Sequence, residues 1–258
     1  MEALREIEMQ HQVTVLFACE SGSRGWGFAS PDSDYDVRFI YVNRLPWYLK
    51  VSPARDVIEL PISGDLDING WDLRKALGLM RESNPTLLEW LCSPIIYRED
   101  TSVMAQFRAL SEQVFSNTKG WYHYASMAKK NFREHLQAEE VRYKKYLYVL
   151  RPLLAARWIR ARSSVPPMRF AELARHTLDV RADAALIAEI NALLEVKMRA
   201  GESATSPRWP GIHSFIETEL ARNAAEPVQA LPTPGQAALD DFLYQSVLRT
   251  DPAFAARA

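Results

Sequence analysis

Residues 17–42 read FACESGSRGWGFASPDSDYDVRFIYV. The flanking runs, VTVLFACE and VRFIYV, are rich in β-branched and aromatic residues and read as two buried strands. Between them Gly22-Ser23 is followed, after ten intervening residues, by Asp34-Tyr35-Asp36. Strand side chains alternate faces, so Asp34 and Asp36 point the same way, and Arg38 with them. Two carboxylates side by side repel each other, and such a pair gives up a charge or gathers a cation. Hard dications such as Mg²⁺ take oxygen ligands and bridge one or two carboxylates to substrate phosphates. A Gly-Ser turn offers backbone N–H groups and a hydroxyl to a phosphate. Gly22, Gly25 and Gly27 fall within six residues of a chain that has only ten glycines. A plain turn would also use Ser, Pro and Asp. The acidic pair, however, heads a core strand, where an unpartnered charge is costly. Together these features point to nucleotide chemistry.

The chain has 258 residues, enough to bury a core in one domain or two. No run approaches the roughly 20 apolar residues that a membrane span needs, and MEALREIEMQHQ at the start is unlike a signal peptide. Cys19 and Cys92 both lie in apolar surroundings, so reduced core thiols in a cytoplasmic protein are expected. The five histidines have no metal-ligand spacing. Net charge is −1, yet residues 119–162 hold eleven Lys or Arg against three Glu, a net of +8. Such a block attracts a triphosphate or an RNA backbone, or it is a solvated helix face.

The first hundred residues mix strands and helices. Strands are expected over 13–19 and 36–42, with two short ones over 56–60 and 65–68 around the turn from Pro61 to Gly64. Leu73, Ala76, Leu77 and Met80 recur at helical spacing and set a helix over 71–82. Asn84-Pro85 caps the next one. From Thr101 onward the chain reads as helix: 102–115, 118–137, 142–162, 169–178, 182–200, 211–224 and 235–249. Pro152 is expected to kink or restart the third of these. The alanine-rich end, 254–258, is expected to fray. The fold class is therefore α/β (α+β): a core over 1–100 with a short mixed sheet flanked by helices, then a helical bundle over 101–258, basic over 119–162.

The Gly-Ser followed by Asp-x-Asp resembles the nucleotidyltransferases of the DNA polymerase beta superfamily. More closely, GSRGWGFASPDSDYDVRFIYV is similar to the predicted nucleotidyltransferases of RNA-repair operons. The likeness continues through DLDINGWDLRKALGLMRESNPTLLEWLCSPIIY and MAKKNFREHLQAEEVRYKKYLYVLRPLLAARWI, and so covers most of residues 13–162. The tail beyond about residue 165 matches no motif. The resemblance implies a nucleotidyltransferase core over 1–100 and a third carboxylate. In that family an aspartate sits five residues before the helix acid of a D-x-x-G-[YW]-[ED]-L-x-K pattern. This maps to Asp67, with Asp72 as the helix acid and Lys75 following; Asp65, on the same strand face as Asp67, is the alternative. Asp72 reads equally as an ordinary acid in a first helical turn.

Asp34, Asp36 and Asp67 are then expected to hold Mg²⁺ (or Mn²⁺) in a two-metal displacement, with Asp67 as general base. Gly22 and Ser23 would hold the β- and γ-phosphates. Arg38 either neutralises phosphate or is the counter-ion of the acidic cluster. The AKKN and KKY segments recur in the family, which makes Lys130 and Lys145 nucleotide-binding candidates over Lys129 and Lys144. Trp26 and Phe28 are candidates for stacking on the base, as are Tyr143, Tyr146 and Tyr148. Arg24 reads as a solvated loop residue.

Three functions compete. One is NMP transfer from an NTP, ATP favoured, to an RNA end. Another keeps that chemistry with a protein side chain or a small molecule as acceptor. A third is a non-catalytic nucleotide or RNA binder, against which the intact Gly22-Ser23 and Asp34/Asp36 speak. A two-metal nuclease is weaker, having no need of a triphosphate cradle.

Overall fold

The computed structural model describes residues 2–52, 54–199, 204–232 and 237–251; the end segment 254–258, expected to fray, lies outside the described residues. In chain order the elements are α1 (Glu2–His11), β1 (Thr14–Glu20), α2 (Gly22–Trp26), β2 (Tyr35–Val42), α3 (Leu45–Tyr48), β3 (Val57–Glu59), β4 (Leu66–Asp72), α4 (Leu73–Arg81), α5 (Pro85–Leu91), β5 (Ile96–Glu99), α6 (Thr101–Val114) and α7 (Asn117–His135). Then come β6 (Glu140–Arg142), α8 (Tyr143–Arg162), α9 (Phe170–Thr177), α10 (Ala184–Arg199), β7 (Thr205–Pro207), α11 (Pro210–Ala225) and α12 (Ala237–Thr250). The chain forms two compact units, and neither is continuous in sequence. One comprises Met1–Ser21, Asp34–Phe115 and Thr233–Ala258; the other comprises Gly22–Ser33 and Ser116–Pro232.

The first unit is built on a mixed five-stranded sheet in the order β3-β4-β2-β1-β5. β2 and β4 run parallel, in unbroken register from Tyr35↔Leu66 to Tyr41↔Asp72; the other pairs are antiparallel. Strand alternation sends Ile40 and Val42 to one face, where they meet Leu73, Leu77, Leu87, Val103, Phe107, Leu239 and Val247 from α4, α5, α6 and α12. Phe39 and Tyr41 go to the other face and meet Leu4 and Ile7 of α1. Gly70 lies opposite Phe39 in the ladder. A Cβ there would come within 2.2 Å of the Phe39 ring, so no larger residue fits without moving the ring.

The division does not fall near residue 100, as the sequence suggested. α6 and α12 go with the sheet because their apolar faces complete its core. Within the segment read as mixed, α1, α2, α3 and β5 are additions. α1 has only Leu4 and Ile7 as buried residues, too few for its periodicity to stand out.

The second unit is helical, with a small antiparallel β6–β7 ladder. α8 is its centre: Tyr146, Leu147, Leu150, Leu153, Leu154 and Ile159 are all buried, and so is Pro152. The helix does not restart at Pro152, one of the two outcomes expected there, but runs through it from Tyr143 to Arg162. Proline cannot donate to the carbonyl four residues back. Asn131 Nδ2 of α7 donates to that Tyr148 carbonyl instead, at 3.2 Å.

Candidate functional site

Parallel register brings Asp36 of β2 directly beside Asp67 of β4. Both point to the sheet face that carries Ile40 and Val42, as does Arg38. Its Nη2 donates to Asp36 Oδ1 and to Asp67 Oδ2, each at 2.7 Å. Its Nη1 donates to the backbone carbonyl of Asp67 at 3.1 Å. Arg38 is thus the counter-ion of the pair in this structure. The side chains are 17% (Arg38), 28% (Asp36) and 34% (Asp67) exposed, so the cluster opens to solvent and is not buried as the sequence suggested. Asp34 precedes β2 and is exposed. Asp65 also lies outside its strand, exposed, with its carbonyl accepting from Tyr35 N. Of the two candidates for a third carboxylate, Asp67 is therefore the one placed beside Asp36.

Sequence reasoning passed over Glu20. This fully buried carboxylate ends β1. Its Oε1 accepts from Asp36 N at 2.8 Å, and its Oε2 accepts from the Tyr97 hydroxyl. The signal was a charge closing an otherwise apolar strand. Asp72 takes the bland reading and strengthens it. It caps α4 through Arg74 N, and its other oxygen accepts from Tyr48 Oη at 2.7 Å and Asn43 Nδ2 at 2.9 Å. Burial pushes its carboxyl above the usual range. Lys75 pairs with Asp56.

In the second unit Gly22-Ser23 opens the short helix α2, and Gly22 has φ +54°, a value glycine adopts readily. The Ser23 carbonyl accepts from Gly27 N and Phe28 N. Arg24 is not a solvated loop residue: its Nη2 donates to the Ser33 carbonyl at 2.8 Å. Phe28 is 1% exposed and lies edge-on to Phe170, so it is core and has no face left for a base. Trp26 is half-buried between Phe28, Tyr148 and the Arg151 guanidinium. Tyr146 is core too, its hydroxyl accepting from Trp209 N.

Lys130 is exposed and lies 4.0 Å from Glu134. Lys145 Nζ lies 3.2 Å from His135 Nε2 and faces the Tyr148 ring. Partial burial, then Lys144 and Arg142, hold the Lys145 ammonium below its usual range. Partial burial and Lys145 likewise lower His135. The Cys19 thiol is buried and reduced; Cys92 is reduced but exposed, not the core thiol expected.

Among the described residues no group of three or more His, Cys, Asp and Glu converges tightly enough to hold a metal by itself. Asp36 and Asp67 nevertheless aim an oxygen each at one cationic group. An all-oxygen pair of this kind fits a hard dication that completes its shell with water and phosphate oxygens.

A family model described as RlaP, RNA repair pathway DNA polymerase beta family, matches residues 1–245. The uncharacterized protein YcgL of Bacillus subtilis (strain 168) is 48% identical over 222 residues, which cover 86% of this chain and 84% of that protein. The crystal structure of a nucleotidyltransferase-like protein from Exiguobacterium sibiricum 255-15 aligns with 98% of this chain and 77% of its own, at 12% identity and a TM-score of 0.28. Among the described residues, no helix is long and apolar enough to cross a membrane.

Proposed function

The chain belongs to the RNA repair pathway DNA polymerase beta family, and from that premise we propose that it moves an NMP from an NTP, ATP favoured, to a hydroxyl, with an RNA end as the preferred acceptor. The observation that carries this reading is the convergence of Asp36 and Asp67 from parallel, in-register strands onto one cationic group. Mg²⁺ (or Mn²⁺) held by Asp36 and Asp67, with Asp34 joining, would lower the pKa of the attacking hydroxyl and offset charge on the leaving pyrophosphate. Asp67 accepts the proton of that hydroxyl. Arg38 keeps the two carboxylates aimed at one point and turns to phosphate oxygens when a triphosphate is bound. Gly22 and Ser23 offer N–H groups and a hydroxyl to the phosphates, and Lys130 and Lys145 offer cations.

The test is incubation with each labelled NTP, Mg²⁺ or Mn²⁺ and total RNA. Label in RNA supports the proposal. Label confined to protein or to small molecules moves the acceptor to the second reading, and no label with any NTP overturns the proposal. Asp36→Ala is expected to lower transfer by about 100-fold or more, since it removes a group acting on the reacting atoms. Asp67→Asn is expected to keep NTP binding and lose transfer, whereas Asp65→Asn changes little. Transfer by Asp67→Asn at the wild-type rate would remove Asp67 from the chemistry.

A further inference from the structure

The loop that joins β1 to β2 belongs to the helical unit: residues 22–33 pack with Ser116–Pro232. Within that unit the loop is tied to itself. Arg24 Nη2 donates to the Ser33 carbonyl at 2.8 Å, Ser33 N donates to the Ser30 carbonyl at 3.1 Å, and Ser30 N donates to Ser33 Oγ at 3.0 Å. The two serine hydroxyls lie 3.0 Å apart. Onto this turn comes Lys197 of α10. The buried residues of α10 are Ile190, Leu193 and Lys197, three and then four positions apart, so the lysine stands on the apolar face of its helix. Its Nζ donates to Ser30 Oγ at 3.1 Å and to Ser33 Oγ at 3.4 Å, and lies 5.8 Å from the centre of the Phe28 ring. Lys197 is 3% exposed and both serines are 2% exposed. Taking an ammonium out of water is costly unless oriented groups receive it. A leucine or methionine at 197 would pack α10 without that cost, so the role of the lysine lies in what it holds.

We propose that Lys197 is a positioning residue. It locks the Ser30–Ser33 turn, and through Arg24, which the turn holds, and Phe28, whose N–H donates to the Ser23 carbonyl, it keeps the Gly22-Ser23 segment set for the phosphates of a nucleotide. This rests on the nucleotidyl transfer proposed above. It also gives a role to the part of the chain beyond residue 165, where no motif was legible.

The experiment uses the full chain with Lys197→Met, which keeps length and burial, and Ser33→Ala, which removes one receiving hydroxyl. The first readout is amide hydrogen exchange without nucleotide. Exchange over residues 22–33 is expected to rise by about tenfold in Lys197→Met and less in Ser33→Ala, with α7, α8 and α11 unchanged. The second readout is steady-state NMP transfer. KM for the NTP is expected to rise by about tenfold in Lys197→Met, while kcat stays within about threefold. Unchanged exchange over 22–33, or an equal rise across the whole helical unit, overturns the clamp. A local rise in exchange with unchanged KM overturns its role in nucleotide binding. A wild-type protein that transfers no NMP overturns the proposed function and, with it, the nucleotide half of this inference, while the exchange result still decides whether Lys197 locks the loop.

Discussion

α7 and α8 share the basic block, and they use their charge in opposite ways. On α7, Lys129, Lys130 and Arg133 are exposed, on the same helical face as exposed Tyr122 and His123. On α8, Arg151, Arg157 and Arg160 turn at least partly inward, while Arg162 at the helix end is exposed. Arg151 is 3% exposed, with its guanidinium 4.6 Å from the centre of the Trp26 ring. Arg157 lies 3.8 Å from Glu219, Arg160 donates to Asn223 and lies over Trp121, and Arg162 lies over Trp158. A net of +8 in the sequence is therefore not a surface of +8. Long basic side chains also serve as packing material, and within the block the α7 face, the start of α8 and Arg162 at its end are what faces solvent to attract a polyanion.

The hardest blow to this contrast would come from Arg151→Glu, which would bury a carboxylate where a guanidinium now meets Trp26. We expect a loss of about 3 kcal/mol or more, read as a collapse of the thermal transition. A variant with native melting would mean that Arg151 is no part of the packing. Arg157→Leu is milder. It leaves Glu219 buried, with Arg222 3.9 Å away as a remaining partner. A loss of about 1–3 kcal/mol in a denaturant titration is expected.

The α7 side of the contrast is sharpened by reversing Lys129, Lys130 and Arg133 to Glu together. Stability is expected to stay within about 1 kcal/mol, since these are exposed groups. RNA affinity should fall, and its log–log salt slope should flatten by about 0.7–0.9 for each phosphate that is no longer neutralised. RNA binding that survives the triple reversal would place the polyanion elsewhere.

The smallest effect sits where the two helices meet. The lowered pKa of Lys145 means that the folded chain sheds this proton before the unfolded chain does. Stability should therefore rise slightly with pH between the folded value and the ordinary 10.5. Polyanion affinity should fall over the same window, as the charge disappears. Lys145→Arg, which stays charged, should hold NTP affinity flat as the pH rises toward 10.5; a wild type that is equally flat would show that Lys145 does not touch the nucleotide.

What the sequence revealed, and what it hid, follows the range of the interactions. The strands flanking Gly22–Asp36, the Asn84 cap and the long helices depend on neighbouring residues, and the structure places them within a few positions of expectation. That Asp36 would face Asp67 could be anticipated only through resemblance, because a parallel register joins strands about thirty residues apart. Arg38 as a bridge, Glu20 beneath Asp36, and Asn131 standing in for the bond that Pro152 cannot make are non-local. No periodicity encodes them. Lys197 was legible in principle, as a cation in the Ile190–Leu193 stripe, but its serine partners lie more than 160 positions away.

The interleaving of the two units bears on vectorial synthesis. A chain made from its N-terminus forms β1 and β2 early, yet α12 supplies Leu239 and Val247 to the core on one face of that sheet. All of residues 116–232 are translated before α12 arrives. The nascent sheet must wait with part of one face open, a state in which apolar surface and strand edges invite aggregation. Stop codons placed in the helical segment should therefore yield insoluble fragments rather than a free-standing sheet unit, although the acidic pair would be present in every one of them.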